Sequence, residues 1–195
     1  MPIPTKELLL NLTKDTQHII KTAQAEILPL SEHQRTWKSS TEKWSVAECL
    51  EHLNIYGRYY LPQIQQALQK NTDSSPKTNY SGGWLGNYFV NSMLPKEQAV
   101  ANKMKTPKGY NPTNLPMKNQ NYLQDFLDQQ QQILQLLEEA QNVNLQKIKI
   151  PISLSKWLKI RLGDTFRFVI AHNQRHVLQA QNVIKIENFP KQPIA

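Results

Sequence analysis

His172 and His176 stand four residues apart in the run Ala171-His172-Asn173-Gln174-Arg175-His176. On a helix, residues at i and i+4 project from one face about one turn apart. At that spacing two imidazoles can grip a single metal ion. Phe166, Val169, Val177, Ala180, Val183 and Ile184 trace the apolar stripe around them, so the pair falls on or beside an inward face. Buried imidazoles need partners, and one divalent cation serves both. Two histidines leave such an ion under-coordinated, and His52 is the candidate third ligand. It lies in Lys43-Trp44-Ser45-Val46-Ala47-Glu48-Cys49-Leu50-Glu51-His52-Leu53, where Ser45 and Glu48 form an S-x-x-E capping box that opens a helix. Core histidines held by ordinary hydrogen bonds, with His52 merely at a helix edge, would leave the same pattern.

Four long amphipathic segments must position these residues. The first runs from about Thr5 to Leu28, with Leu8, Leu9, Leu12, Ile19, Ala23 and Ile27 at helical spacing, and is stopped by Pro29. Residues 31 to 44 are expected as a loop ending at Trp44, whose indole packs on the start of the next helix as a hydrophobic staple, with ligand stacking as the alternative. The second helix covers about Val46 to Lys70, with a kink at Pro62. The stretch from Asn71 to Met117 is rich in Pro, Asn, Lys, Thr and Gly and is long enough to join distant helix ends. Within it Trp84 to Leu94, closed by Pro95, reads as one short helix, a lid over a pocket or, preferably, a plug for the core. The third long helix spans about Gln120 to Gln141, its Gln129 to Gln132 run serving as a solvated face. Ile148 to Leu154 alternates as an extended segment, though Pro151 argues against a central strand. Lys156 to Ile160 is expected as a short helical turn interrupted by Gly163, before a fourth long helix capped by Asp164 that runs to about Ile186 and ends ahead of Pro190 and Pro193. The expected fold is all-α: one domain of 195 residues, a four-helix bundle with a long crossover between the second and third helices. There the second and third helices run the same way, the fourth returns antiparallel, and His52, about seven residues or roughly 10 Å into its helix, falls level with His172 and His176.

A chain of this length buries a core without metal or disulfide staples, so a metal would serve chemistry. The single cysteine, Cys49, reads as core packing in a reducing compartment. No segment resembles a signal peptide or a membrane span, and the expected address is the cytoplasm. The net charge of +8 and a pI near 9.5 raise nucleic-acid binding. The basic residues are scattered, however: Lys147, Lys149, Lys156, Lys159 and Arg161 form one loose group, and Lys96, Lys103, Lys105 and Lys108 another. No base-stacking or recognition-helix pattern accompanies them, so a solvated basic surface is the simpler account. His18 and His33 read as surface residues. Glu48 is explained by capping, and Glu51 should point away from His52 because adjacent helical side chains diverge. Tyr56, Asn173, Arg175 and Gln179 fall within reach of the histidines or of the layer that orients them.

The blocks W-S-x-x-E-x-L-x-H-L at Trp44 to Leu53 and H-x-x-R-H-x-x-Q at His172 to Gln179, in this order and near the two ends of the chain, resemble the DinB-like superfamily of metalloenzymes. The resemblance covers essentially the whole chain. It implies the four-helix fold and a three-histidine centre carried by His52, His172 and His176. Members of known activity include transferases that use bacillithiol and an isomerase that uses mycothiol, while others are regarded as metal-dependent hydrolases. The resemblance therefore implies a divalent metal, zinc or nickel foremost, and a thiol-dependent transferase or hydrolase acting on a small electrophile, with a low-molecular-weight thiol as the expected partner. The alternatives are a metal-binding or stress-response protein without turnover and a basic, nucleic-acid-associated bundle. A homodimer is also expected, since long helices in a small bundle commonly leave one apolar face for a partner.

Overall fold

The computed structural model describes residues 2–72, 75–94, 106–114 and 121–191. The chain enters through a two-residue strand, β1 (Ile3–Pro4), and then α1 (Thr5–Thr22), which continues through a π-helical turn at Ala23–Ile27. The segment expected as a loop contains a short helix, α2 (Glu32–Thr36), opened by a capping box between Ser31 and Gln34. The second capping box, Ser45 with Glu48, opens α3 (Val46–Gln69) as expected, and α3 continues through Pro62. After β2 (Asn79–Tyr80), which pairs antiparallel with β1, comes α4 (Trp84–Met93). Then follow α5 (Tyr122–Glu139), the hairpin β3 (Lys149–Ile152) and β4 (Ser155–Arg161), and α6 (Leu162–Ile184). Helices dominate and the only sheets among the described residues are two small two-stranded ones, so the all-α expectation holds. Pro95, Met117, Gln120, Pro193, Lys96, Lys103 and Lys105, named in the sequence expectations, lie outside the described residues.

Two expectations near the C-terminal helix are corrected. Lys156 to Ile160 is not a helical turn but most of β4, paired antiparallel with β3 at Ile150↔Ile160 and Pro151↔Lys159. Both strands of a two-stranded hairpin are edges, so Pro151 costs no interior ladder bond, and Trp157 and Ile160 favour extended backbone. Asp164 does not cap α6: the helix begins two residues earlier, and its N-cap is Arg161. Nor does Gly163 interrupt the helix. It sits in the first turn of α6 under the Tyr80 ring, where a Cβ would lie 2.5 Å from Cε2.

Four long helices share one core, with α1 and α3 each packing against both α5 and α6. Leu50, Ile64, Phe126, Leu136 and Phe166 are at its centre. Along α3, the residues His52, Tyr56 and Tyr60 meet His176, His172 and Phe168 of α6 at ring-centroid distances of 4.5, 4.4 and 5.7 Å. The partner numbers fall as the α3 numbers rise, so α3 and α6 are antiparallel. Between α3 and α5 they rise together, from Asn54 on Tyr122 to Gln65 on Glu139, so these two are parallel. A parallel pair of consecutive long helices requires the chain to return the full helix length, which the long connection accomplishes. Among the described residues no helix is long and apolar enough to cross a membrane.

Candidate metal centre

The capping box fixes the start of α3 and thereby the phase of the helix, which turns His52 inward beside Leu53 and Tyr56. The 3.6-residue period of α6 places His172 and His176 on the face that meets it. All three imidazoles are buried, and one ring nitrogen from each lies within 4.8 Å of the other two. The Nε2 atoms of His52 and His172 are 3.1 Å apart. Two nitrogens bound about 2.0–2.1 Å from one ion lie roughly 3 Å from each other, so this separation suits a shared cation.

Hydrogen bonds on the far side of two rings favour the same arrangement. His52 Nδ1 lies 2.7 Å from the Tyr110 carbonyl, which can only accept, so Nδ1 carries the proton and Nε2 keeps its lone pair. His176 Nδ1 donates to Gln179 Oε1 at 2.9 Å, leaving its Nε2 in the same state. Burial lowers the His52 pKa to about 4, the Tyr110 bond opposing it in part. His172 is held well below the ordinary imidazole range by burial and then by the charges of His176, His52 and Arg175. His176 is also lowered, by burial first and then by His52, against the bond to Gln179. Three neutral imidazoles around one point fit a divalent cation.

These shifts predict a pH dependence. A histidine whose folded pKa is depressed contributes stability that is fully present above about pH 6.5 and is lost as pH falls toward the folded value, because the unfolded chain takes up protons that the folded one refuses. For His52 the window runs from about 6.5 to 4 and amounts to ~3 kcal/mol; His172 and His176 act in the same direction. Metal-free protein should therefore melt lower at pH 5 than at pH 7.5, and His172→Ala should lose less over that interval. Equal losses would contradict this origin.

The surrounding residues are partly those expected. Tyr56 packs its ring 4.4 Å from that of His172, and Gln179 orients His176. Glu48 caps α3 and holds Lys38, while Glu51 turns away toward Arg58 and Asn54. Asn173 does not reach the site: it donates to Gln130 on α5, and Gln130 is buried, so the glutamine run is not wholly a solvated face. Trp44 rests on His52 and His176, at 4.8 and 5.6 Å, and so shields the imidazoles. Cys49 is buried in the core, which raises its thiol pKa and keeps it unreactive, while His18 and His33 are exposed.

The imidazoles face a pocket of about 1060 Å³. Phe168 on α6, Phe89 and Met93 on α4, and Ile152, Leu154 and Ile160 on the hairpin form its apolar walls. Short helix α4 buries Val90 in the core, as a plug would, and also turns Phe89 and Met93 to the pocket as a wall, whereas Trp84 and Tyr88 are exposed. Four tyrosines dock the hairpin turn here. Tyr59 donates to the Ile152 carbonyl, Tyr110 to the Ser153 carbonyl, Tyr60 bonds Ser153, and Tyr56 bonds the Ser153 side chain. Sequence reasoning missed Tyr110, Phe168 and the hairpin. Only the Tyr56, Tyr59, Tyr60 spacing on α3 hinted at an aromatic face; nothing local marks Tyr110, which is 58 residues from His52.

Residues 17–180 match the family model described as the DinB superfamily. No curated protein and no solved structure matches.

Proposed function

The chain belongs to the DinB superfamily, and from that premise we propose that it is a metal-dependent enzyme in which His52, His172 and His176 hold one divalent ion, zinc or nickel foremost, and that it transfers a low-molecular-weight thiol to a small electrophile. The observation that carries this reading is the convergence of three buried, neutral imidazoles on the floor of a pocket large enough for substrate. A divalent cation held there would lower the pKa of a bound thiol or water and so supply a nucleophile near neutral pH.

The chain's own residues supply orientation and shelter. Tyr110 and Gln179 hold the rings of His52 and His176 so that their Nε2 lone pairs turn inward. Trp44 and Tyr56 cover the rings and limit water. Among the described residues lining the pocket the only carboxylate is Glu42, on an exposed segment. The acting unit in this reading is a cytoplasmic homodimer.

The test is turnover. Protein reconstituted with zinc, nickel or manganese should consume a thiol together with chlorodinitrobenzene or an epoxide at least about tenfold faster than chelated protein. Stoichiometric metal without thiol- or ester-dependent turnover would instead identify a metal-binding protein that performs no catalysis.

A further inference from the structure

We propose that the turn of the β3–β4 hairpin docks on the surface of an anionic lipid bilayer, with Leu154, Trp157 and Leu158 entering the headgroup layer and the neighbouring lysines pairing with the lipid headgroups. This docking is separate from the metal centre and does not depend on turnover.

The sequence marks the hairpin by its charge. From Ala140 to Gly163 the chain holds Lys147, Lys149, Lys156, Lys159 and Arg161 and no aspartate or glutamate. Arg161 is engaged inside the fold, where it donates to the Ser81 carbonyl and to Gln146. All four lysines are exposed, and among the described residues no carboxylate pairs with them.

Strand pairing brings apolar residues to the same end. Pro151 faces Lys159 and Ile152 faces Ser155, so Lys156, Trp157 and Leu158 have no partner in β3 and bulge from the ladder. All three are exposed, Trp157 at 93 %, and Leu154 in the turn is exposed as well. Single apolar side chains in water are ordinary, but Leu154, Trp157 and Leu158 share one projecting turn and form a patch. Helix α4, which packs against β4, adds Trp84 and Tyr88, one turn apart and both exposed.

The mixture of side chains selects the partner. Indole rings favour the boundary between water and hydrocarbon, and lysine stems lie along apolar surface while their ammonium groups stay at headgroup level. Basic residues flanking inserted apolar ones draw a protein to anionic lipid. A second copy of the chain is a poor occupant, because a symmetric contact would set the two groups of lysines against each other. Nucleic acid would engage the lysines and the indole but leave Leu154 and Leu158 without an apolar partner. Leu154 also lines the pocket, so docking brings the pocket rim to the bilayer.

The test is co-sedimentation of the whole chain with vesicles of phosphatidylcholine, alone or with about 30 % phosphatidylglycerol. At about 0.1 M salt the anionic vesicles should bind at least about tenfold tighter than the neutral ones, a preference that shrinks toward about 0.5 M. Lys156→Gln combined with Lys159→Gln should weaken binding to anionic vesicles by about fivefold for each charge removed. Trp157→Ser combined with Leu158→Ser should weaken it at least about tenfold. Both double variants should melt with wild type, because the replaced side chains are exposed. Lipid brominated near the headgroup should quench the tryptophan emission of wild type, and that of Trp157→Phe less. No binding to anionic vesicles, equal binding to neutral ones, undiminished binding in either double variant, or unquenched emission would each overturn the proposal. So would tighter binding to a DNA duplex than to anionic vesicles, or a dimer that the Trp157→Ser, Leu158→Ser variant dissociates, since each gives the turn to another partner.

Discussion

Replacing His172 with alanine is expected to reduce metal content from about one ion per chain to below about a tenth, with His52→Ala doing the same. Among the described residues, the three histidines form the only group of potential ligands placed to hold an ion. Loss of one leaves two, and a two-ligand site in competition with water and chelating buffers holds an ion weakly. The fold should persist in both variants. Each ring borders an open pocket, so truncation enlarges that pocket instead of opening a sealed void. After chelation the variants should melt within about 4 °C of chelated wild type, whereas added metal should raise the melting temperature of wild type alone. Elemental analysis and calorimetry on the same samples check both statements. Metal retained by His172→Ala, or none loaded by wild type under any divalent ion, would refute the three-histidine centre.

Replacing Asp164 with alanine should cost about 3–5 kcal/mol, on the order of 10 °C in melting temperature, without loss of the metal site. Its carboxylate is fully buried. One oxygen accepts the backbone N–H of Gly83, the N-cap of α4, at 2.8 Å, and the other pairs with Arg167 at 3.0 Å. Arg167 in turn donates to Asn87 on α4 at 2.7 Å. Gly86 makes room for this arrangement: a Cβ there would stand 2.2 Å from the carboxyl carbon of Asp164. Asp164 is thus a cap for α4 supplied from α6, and removing it leaves Arg167 without its buried counter-charge. The histidines belong to α3 and α6, so metal loading should survive while the α4 wall of the pocket loosens. A cost below about 1 kcal/mol by denaturant unfolding would show that α4 is held chiefly by its apolar contacts.

The same residue shows where local reading stops. An aspartate just ahead of an apolar periodic run resembles a cap for that run. Its burial, and its use by a helix that begins 80 residues earlier in the chain, depend on α4 packing against α6. Likewise, the polar Gln129 to Gln132 run looks solvated by composition, yet Gln130 is buried because Asn173 of α6 meets it across the core. Lys156 to Ile160 carries too few residues for periodicity to separate a helical turn from a strand, and pairing with β3 decides the matter.

By itself the sequence determined the helical class, both ends of α3, the place of His172 and His176 on or beside the inward face of α6 and of His52 at the edge of the core face of α3, and the family blocks that contain them. These are consequences of capping chemistry and the 3.6-residue period, which act over a few residues and need no distant partner. Only the tertiary structure decided the 3.1 Å approach of His52 to His172, the carbonyl of Tyr110 behind His52, the hairpin and α4 as pocket walls, and the place of Arg175 within them. Each of these joins segments tens of residues apart, and their meeting is governed by how complete helix faces pack, a quantity no short window of sequence contains.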